Sequence, residues 1–528
     1  MQGPTLEDNA TDITRLSPTD GSAETPRLVS VKDVPHLSTG LHSTEVSIRT
    51  ESARGLRKVL SLEPEPPVTA VIHSGAISML VKCLDEHEHA DLQFEAAWAL
   101  TNVASTNKTN VVVESGAIPG LVRNLMHFNP DLREQCAWCL GNIAGDCARL
   151  RDVVLDTPES LNGLLMNVTN PATESLLRNC VWSLSNMCRG KPQPSMDILQ
   201  PALPVLSHLL SSADKEVLVD TCWALSYLSD GDTERIASVM SPSVVSQLAA
   251  LLRHEDGNVI TPALRTLGNF VTGDDIQTQA RMERKLLDTG MLPQLKALLS
   301  HTKKNIQKET CWTLSNVVAG TPEQMAMVCE ESGIISSVIE QLCNGSWEVQ
   351  KEANFVISNI ATASDVTRVR QLVQEGAILA LCQMLDRADA KVIMVALDAL
   401  ACILRYDDAT LECPWAQMMD ESGGVERLEQ LQEHENSKVY EKAMYIIERY
   451  FGCDNREKDE NFAPEVTADG TFSFGGSTRG SATSVFSEGP VTPSKTASCG
   501  LAMQGTPTGS RNARNGSCGS AVQTLNLA

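Results

Sequence analysis

Seven pairs of side chains recur at i, i+4 spacing: Trp98/Asn102, Trp138/Asn142, Trp182/Asn186, Trp223/Tyr227, Arg265/Asn269, Trp312/Asn316 and Phe355/Asn359. Residues four apart on a helix lie one above the other on one face, so most pairs set a large ring beside an amide. The chemistry this offers is recognition rather than catalysis. Asn carries a donor and an acceptor, so a row of amides can pair with the backbone of an extended peptide whatever its sequence. Parallel indoles make slots for long aliphatic stems, and a cationic tip gains about 0.5–2 kcal/mol from each ring face. Acids near the ladder would select Lys or Arg: Asp146 follows Asn142 by four residues, and Glu95, Glu216, Asp220, Asp275, Glu309 and Glu352 lie within two turns of a rung.

A single Trp on a helix is more often core than binding site, and an Asn often bridges helices. A row of such pairs in register favours an exposed ladder instead. Buried Trp and Asn both need partners for their N–H groups, and core positions are filled more simply by Leu.

The rungs are separated by 40, 44, 41, 42, 47 and 43 residues. A period of about 40–47 residues belongs to HEAT or armadillo solenoids, built from units of two or three helices. Related openings support this: Ser74-Gly75-Ala76-Ile77, Ser115-Gly116-Ala117-Ile118, Thr289-Gly290, Ser332-Gly333 and Glu375-Gly376 each precede an apolar helix. Glycine there suits a left-handed turn between two helices. A helical pattern begins near Thr44 and breaks at Pro64 and Pro66, and the last helical segment runs from about Lys438 to Phe451. In ladder phase after Asn359 come Asp398 and Cys402, so the ladder stops while the repeats continue.

Composition narrows the partners. With 66 acidic against 43 basic residues the net charge is −23, which opposes binding to nucleic acid and anionic lipid and favours basic partners. No run of about 18 apolar residues exists, so no membrane span is expected. The N-terminal residues lack the basic-then-apolar order of a signal peptide. The 16 cysteines show no paired framework, as suits a reducing compartment, either cytoplasm or nucleus. Cys136-Ala-Trp-Cys139 has redox spacing but brackets a ladder Trp, so structural cysteines are expected. His87-Glu-His89 reads as a solvated loop rather than a metal site, and Thr492-Pro and Thr506-Pro as tail phosphorylation candidates. No phosphate loop, nucleophile elbow or carboxylate pair supports an enzyme, a cofactor or a metal.

The strings FEAAWALTNVAS, CAWCLGNIAGD, NCVWSLSNMCRG, DTCWALSYLSDG, TPALRTLGNFVTGDD, NIQKETCWTLSNVVAG and HENSKVYEKAMYIIERYF resemble successive armadillo repeats of importin-α, the nuclear-localisation-signal receptor. The resemblance covers roughly residues 44–465. It implies an all-α, right-handed superhelical solenoid of about ten armadillo repeats at 44–452. A disordered segment would precede it at 1–43, and an acidic then Gly/Ser/Thr-rich disordered tail would follow at 453–528.

By the same resemblance, a major signal site would use Trp98, Asn102, Trp138, Asn142, Asp146, Asn179, Trp182, Ser185, Asn186, Glu216, Asp220, Trp223 and Tyr227, with Asp146 facing the key lysine. A minor site would use Arg265, Asn269, Thr278, Glu309, Trp312, Ser315, Asn316, Glu352, Phe355 and Asn359. The implied partners are proteins with Lys/Arg-rich nuclear localisation signals, importin-β, and a nuclear export receptor that holds the terminal repeats near His434–Phe451.

Three departures from the family pattern stand out. Residues 1–50 carry Arg15, Arg27, Lys32 and Arg49 against seven acids, 4 − 7 = −3, so a basic importin-β-binding segment is not recognisable and no internal decoy is expected in the groove. The loop after Asn102 is about two residues short, with Thr106 where a Gly is expected. Phe355 replaces a Trp, which predicts a poorer minor site. Two functions fit: an import adaptor that passes cargo to importin-β, or a relative without that step that sequesters or chaperones basic proteins.

Overall fold

The computed structural model describes residues 29–62, 66–272, 289–407 and 414–452, with the backbone of 465–466 and 472–473. The described residues divide into two compact units, one up to Gln294 and one from Leu295 onward. The helices used below are labelled in chain order within each unit.

The first unit holds α1 (Val34–Gly40), α2 (Val46–Val59), α3 (Ala90–Ala104), α4 (Pro130–Asp146), α5 (Glu174–Cys188), α6 (Lys215–Ser229) and α7 (Gly257–Phe270). The second holds α8 (Lys304–Val318), α9 (Trp347–Ala363), α10 (Ala390–Leu404) and α11 (Ser437–Ile446). Two shorter helices separate most neighbours among α3–α10, such as Thr109–Glu114 and Ala117–Asn124 between α3 and α4. Every rung falls on a long third helix of its repeat, as the spacing predicts.

Local chemistry sets the ends of these helices. Asn129 caps α4 by accepting from the Asp131 N–H, with Pro130 at the first helical position. Thr173 caps α5 through the Leu176 N–H, and the Asp214 carboxylate caps α6 through the N–H groups of Glu216 and Val217. Each such cap is worth about 1 kcal/mol. The expected left-handed glycines are present, with φ of 76° at Gly75, 80° at Gly116 and 80° at Gly333. The corresponding turn before Ser160 uses Glu159 at φ 65°, a position where a side chain costs strain. One face of each long helix is core: Leu92, Leu100, Leu132, Leu140, Leu176 and Leu184 are fully buried. Each contributes about 1.5–3 kcal/mol by leaving water.

Two boundaries differ from the sequence reading. Disorder was expected over 1–43, but a 3-10 turn at Val31–Asp33 leads into α1. Val34 and Leu41 are buried, and the Ser38 hydroxyl donates to the Ser74 carbonyl at 2.9 Å. The helix docks because Gly55 of α2 leaves room for Leu37; a Cβ there would meet Leu37 Cδ2 at 2.5 Å. Its few apolar residues, set among Ser, Thr and Pro, gave too weak a period to read. Residues 1–28 lie outside the described residues. In the tail, Glu465–Val466 pairs antiparallel with Phe472–Ser473, the only strands among the described residues. The rest of the expected disordered tail, with Thr492 and Thr506, lies outside the described residues, as does Pro64.

Candidate peptide-binding site

The first unit carries the ladder from Trp98 to Asn269, and its amides share one arrangement. Asn102 Nδ2 donates to the Arg57 carbonyl at 3.3 Å and to Ser61 Oγ at 3.0 Å. Asn142 Nδ2 donates to the Thr101 carbonyl at 3.4 Å, and Asn186 Nδ2 to the Gly141 carbonyl at 3.1 Å. Asn269 Nδ2 donates to the Ser226 carbonyl at 3.0 Å. In each case a ladder amide is anchored to the backbone of the preceding long helix. A carbonyl oxygen can only accept, so the nitrogen must face it, and the amide oxygen is left for another donor. Both ligand roles were expected of each Asn; here one N–H is already committed. Asn186 and Asn269 are also buried, at 7% and 6% exposure, so these rungs are less open than the exposed-ladder reading holds.

The rings are half-buried at Trp98, Trp138, Trp182 and Trp223. Trp182 packs closely on α4 because Gly141 is there: a Cβ would meet Trp182 Cζ3 at 2.5 Å and would also strike Ser183. Gly145 similarly admits the Asn186 amide, 3.0 Å from where its Cβ would be. Trp223, like Leu251, packs on the cluster of Leu218, Val219 and Val259, and it stacks with Tyr227, ring centroids 5.7 Å apart at 22°. Gly141 and Gly145 were missed in the sequence, although their i, i+4 spacing beside Asn142 was a visible signal.

Among the expected acids the structure separates open from closed. Asp146 is exposed at the last residue of α4, with Thr109 Oγ1 3.4 Å from its carboxylate. A carboxylate at the negative end of a helix favours a nearby cation. Thr109, the first residue of the short helix Thr109–Glu114 in the segment after Asn102 that reads as a shortened loop in the sequence, supplies the hydroxyl beside it and was also missed. Glu216 is exposed in the first turn of α6, and Asp220 one turn on is half-buried. Burial first, then the Glu216 charge, push the Asp220 carboxyl up to about 7.

Glu95 was counted among the acids near the ladder that together favour a basic ligand. It is buried at 5% exposure and held instead by Arg54 Nε at 2.7 Å and Arg57 Nε at 2.6 Å. Asn179 does not reach the ladder surface either. It is 2% exposed and donates to Glu134 Oε1 at 2.9 Å. Ser185 is likewise buried.

Of the expected minor site, Arg265 and Asn269 belong to the first unit, while Thr278 and Asp275 lie outside the described residues. In the second unit Trp312, Asn316, Glu352, Phe355 and Asn359 are half-buried. The pattern of amide anchoring repeats, with Asn359 Nδ2 donating to the Ser315 carbonyl at 3.0 Å. Ser315 is buried and donates to the Trp312 carbonyl, and Glu309 is 2% exposed with Lys308 Nζ 3.4 Å away. Beyond the ladder Asp398 of α10 pairs with Lys442 Nζ of α11 at 2.7 Å. Cys136 and Cys139 are fully buried, and burial pushes the Cys139 thiol up to about 12, as structural cysteines require.

Stacked three-helix repeats with anchored amides and half-open indoles define an armadillo-repeat protein. Models of the armadillo/beta-catenin-like repeat match residues 64–105, 106–145, 191–230 and 283–319, and the atypical Arm repeat matches 413–465. Importin subunit alpha-3 of Arabidopsis thaliana is 43% identical over 444 residues, 82% of each chain. Importin subunit alpha-1b of Oryza sativa subsp. japonica is 40% identical over 453 residues, 84% of this chain and 83% of its own. Importin subunit alpha-B of Dictyostelium discoideum is 40% identical over 456 residues, 85% and 86%. An engineered protein of known structure superposes with a TM-score of 0.70 at 27% identity, over 79% of this chain and 98% of its own. The chain belongs to the importin-α family, armadillo-repeat proteins of nuclear import.

Proposed function

We propose that the first unit binds Lys/Arg-rich nuclear localisation signals of cargo proteins along Trp138, Asn142, Asp146, Trp182, Asn186, Asp220, Trp223 and Tyr227. The observation that carries this is the repeated anchoring of ladder amides, which turns their oxygens into a fixed row of acceptors for peptide N–H groups. Lysine stems would lie between half-open indoles, and Asp146 with Glu216 and Asp220 would meet their charges. Within the second unit, Trp312, Asn316, Phe355 and Asn359 would serve a second, weaker segment, the smaller ring of Phe355 offering less wall.

As an adaptor of this kind the protein would shuttle between cytoplasm and nucleus, pass cargo to importin-β, and be recovered through its terminal repeats by an export receptor. Titrating the full chain into a fluorescent Lys/Arg-rich signal peptide tests the groove. The reading expects saturable binding that weakens with salt, against none for the same peptide with Glu in place of each basic residue. Equal binding of both peptides overturns it.

A second reading, sequestration or chaperoning of basic proteins without importin-β, is favoured by the balance of four basic against seven acidic residues in 1–50. Direct titration with importin-β separates the two: tight binding supports the adaptor, and no binding at micromolar concentration supports the alternative.

A further inference from the structure

The first rung differs from the two that follow it, at Trp138 and Trp182. The guanidinium of Arg57, from α2, lies over the Trp98 ring with Cζ 4.1 Å from its centroid. Its Nε is fixed by the buried Glu95 carboxylate at 2.6 Å, and Arg54 Nε holds the other oxygen of Glu95 at 2.7 Å. The Asn102 amide donates to the Arg57 carbonyl of α2 and to Ser61 Oγ just past the end of that helix. Phe94 meets Trp98 edge-on, centroids 5.5 Å apart. Among the described residues, no comparable protein cation covers Trp138 or Trp182.

We infer that Arg57 is a specificity-determining residue of the groove. It closes the Trp98 end to lysine and arginine side chains and favours a carboxylate there. This rests on the reading of the ladder as a peptide site. The physical reason is twofold. A ring face that already holds a guanidinium gives no second cation–π gain, and an incoming ammonium meets a like charge. The Arg57 side chain keeps 16% exposure, and its two terminal amino groups make no hydrogen bond among the described residues, so they can donate in parallel to a carboxylate. The preferred ligand is therefore an extended peptide with basic residues across Trp138 and Trp182 and an acidic residue at the Trp98 end.

The pairing of Glu95 makes this testable. Removing Arg57 leaves the buried carboxylate bound by Arg54, so Arg57→Gln keeps Glu95 partnered. Four fluorescent peptides carry a basic core of four lysines with Glu or Lys added at the N-terminal or the C-terminal end. Anisotropy titrations measure each against wild type, Arg57→Gln and Arg57→Lys, with circular dichroism melts to confirm folding.

At one end only, wild type should prefer Glu over Lys, and Arg57→Gln should shift that ratio toward Lys by roughly two- to fivefold, the range of one partly exposed charge contact. Arg57→Lys should keep part of the preference for Glu. A wild-type preference for Lys at both ends, or a ratio unchanged in Arg57→Gln, overturns the inference. Should Arg57→Gln not fold, the wild-type and Arg57→Lys ratios still decide it. Failure of the peptide-site reading looks different: the lysine core itself would not bind wild type.

Discussion

Asn186 Nδ2 sits 3.1 Å from the carbonyl oxygen of Gly141, joining rung to rung across α5 and α4. The same glycine gives Trp182 its resting place, so one residue sets both the amide and the ring of the next repeat. Ladder register is therefore held by backbone contact between neighbouring long helices and does not wait for a ligand.

Gly141→Ala tests that relationship. Alanine favours helix by about 1 kcal/mol over glycine, which alone would stabilise the protein. Against this, the new methyl would meet Trp182, and Ser183 beside it is fixed by hydrogen bonds to the Ala137 and Asn179 carbonyls at 2.7 and 2.8 Å. Overpacking of this kind costs about 1–3 kcal/mol, so the clash wins. The expected result is a lower Tm together with weaker peptide binding; a higher Tm with unchanged binding would refute the packing argument.

Asp220 predicts a pH dependence of binding. Its carboxyl is raised to about 7 in the free protein, chiefly by burial, so it is substantially protonated below that pH. A ligand cation favours the ionised form, and binding must therefore remove the proton at low pH. Affinity for a lysine-rich peptide should rise with pH through 7 and level off above it, by at most about tenfold per unit. In Asp220→Asn the rise should vanish. A wild-type profile flat between pH 6 and 8 would show that this carboxylate does not meet the ligand.

Much of this molecule could be read from its sequence. The third helices, the left-handed glycines and the half-open indoles follow from spacings of four and about forty residues, because both are periods of the architecture itself. What could not be read is which side chains are already committed. Glu95 looks like a ligand acid until Arg54 and Arg57, some forty residues earlier, are seen to hold it. Asn179 shares a helix with Trp182 but turns inward to Glu134. The α1 segment was lost because its own apolar period is weak and its docking depends on room left by Gly55 of α2. Each of these is a contact between repeats or elements, and periodicity carries no record of such pairings.

The cysteines give a direct check on burial. Cys136, Cys139, Cys180, Cys222 and Cys311 are fully buried, and desolvation raises their thiols far from the reactive range. Cys147 is half-buried at the junction after α4. Peptide mapping after brief treatment of the native protein with a thiol reagent should find Cys147 labelled well before Cys136 or Cys139. Early labelling of the Cys136-Ala-Trp-Cys139 pair would contradict the full burial of these two cysteines in α4.

The central claim is that Trp138, Trp182 and Asp146 hold a basic peptide. Its most direct test is the dissociation constant of a Lys/Arg-rich signal peptide for wild type, Trp138→Ala with Trp182→Ala, and Asp146→Lys, each confirmed folded by circular dichroism. Two lost ring walls and a reversed charge at the end of α4 should each weaken binding at least about tenfold, or 1.4 kcal/mol. Wild-type affinity in both folded variants would contradict the account.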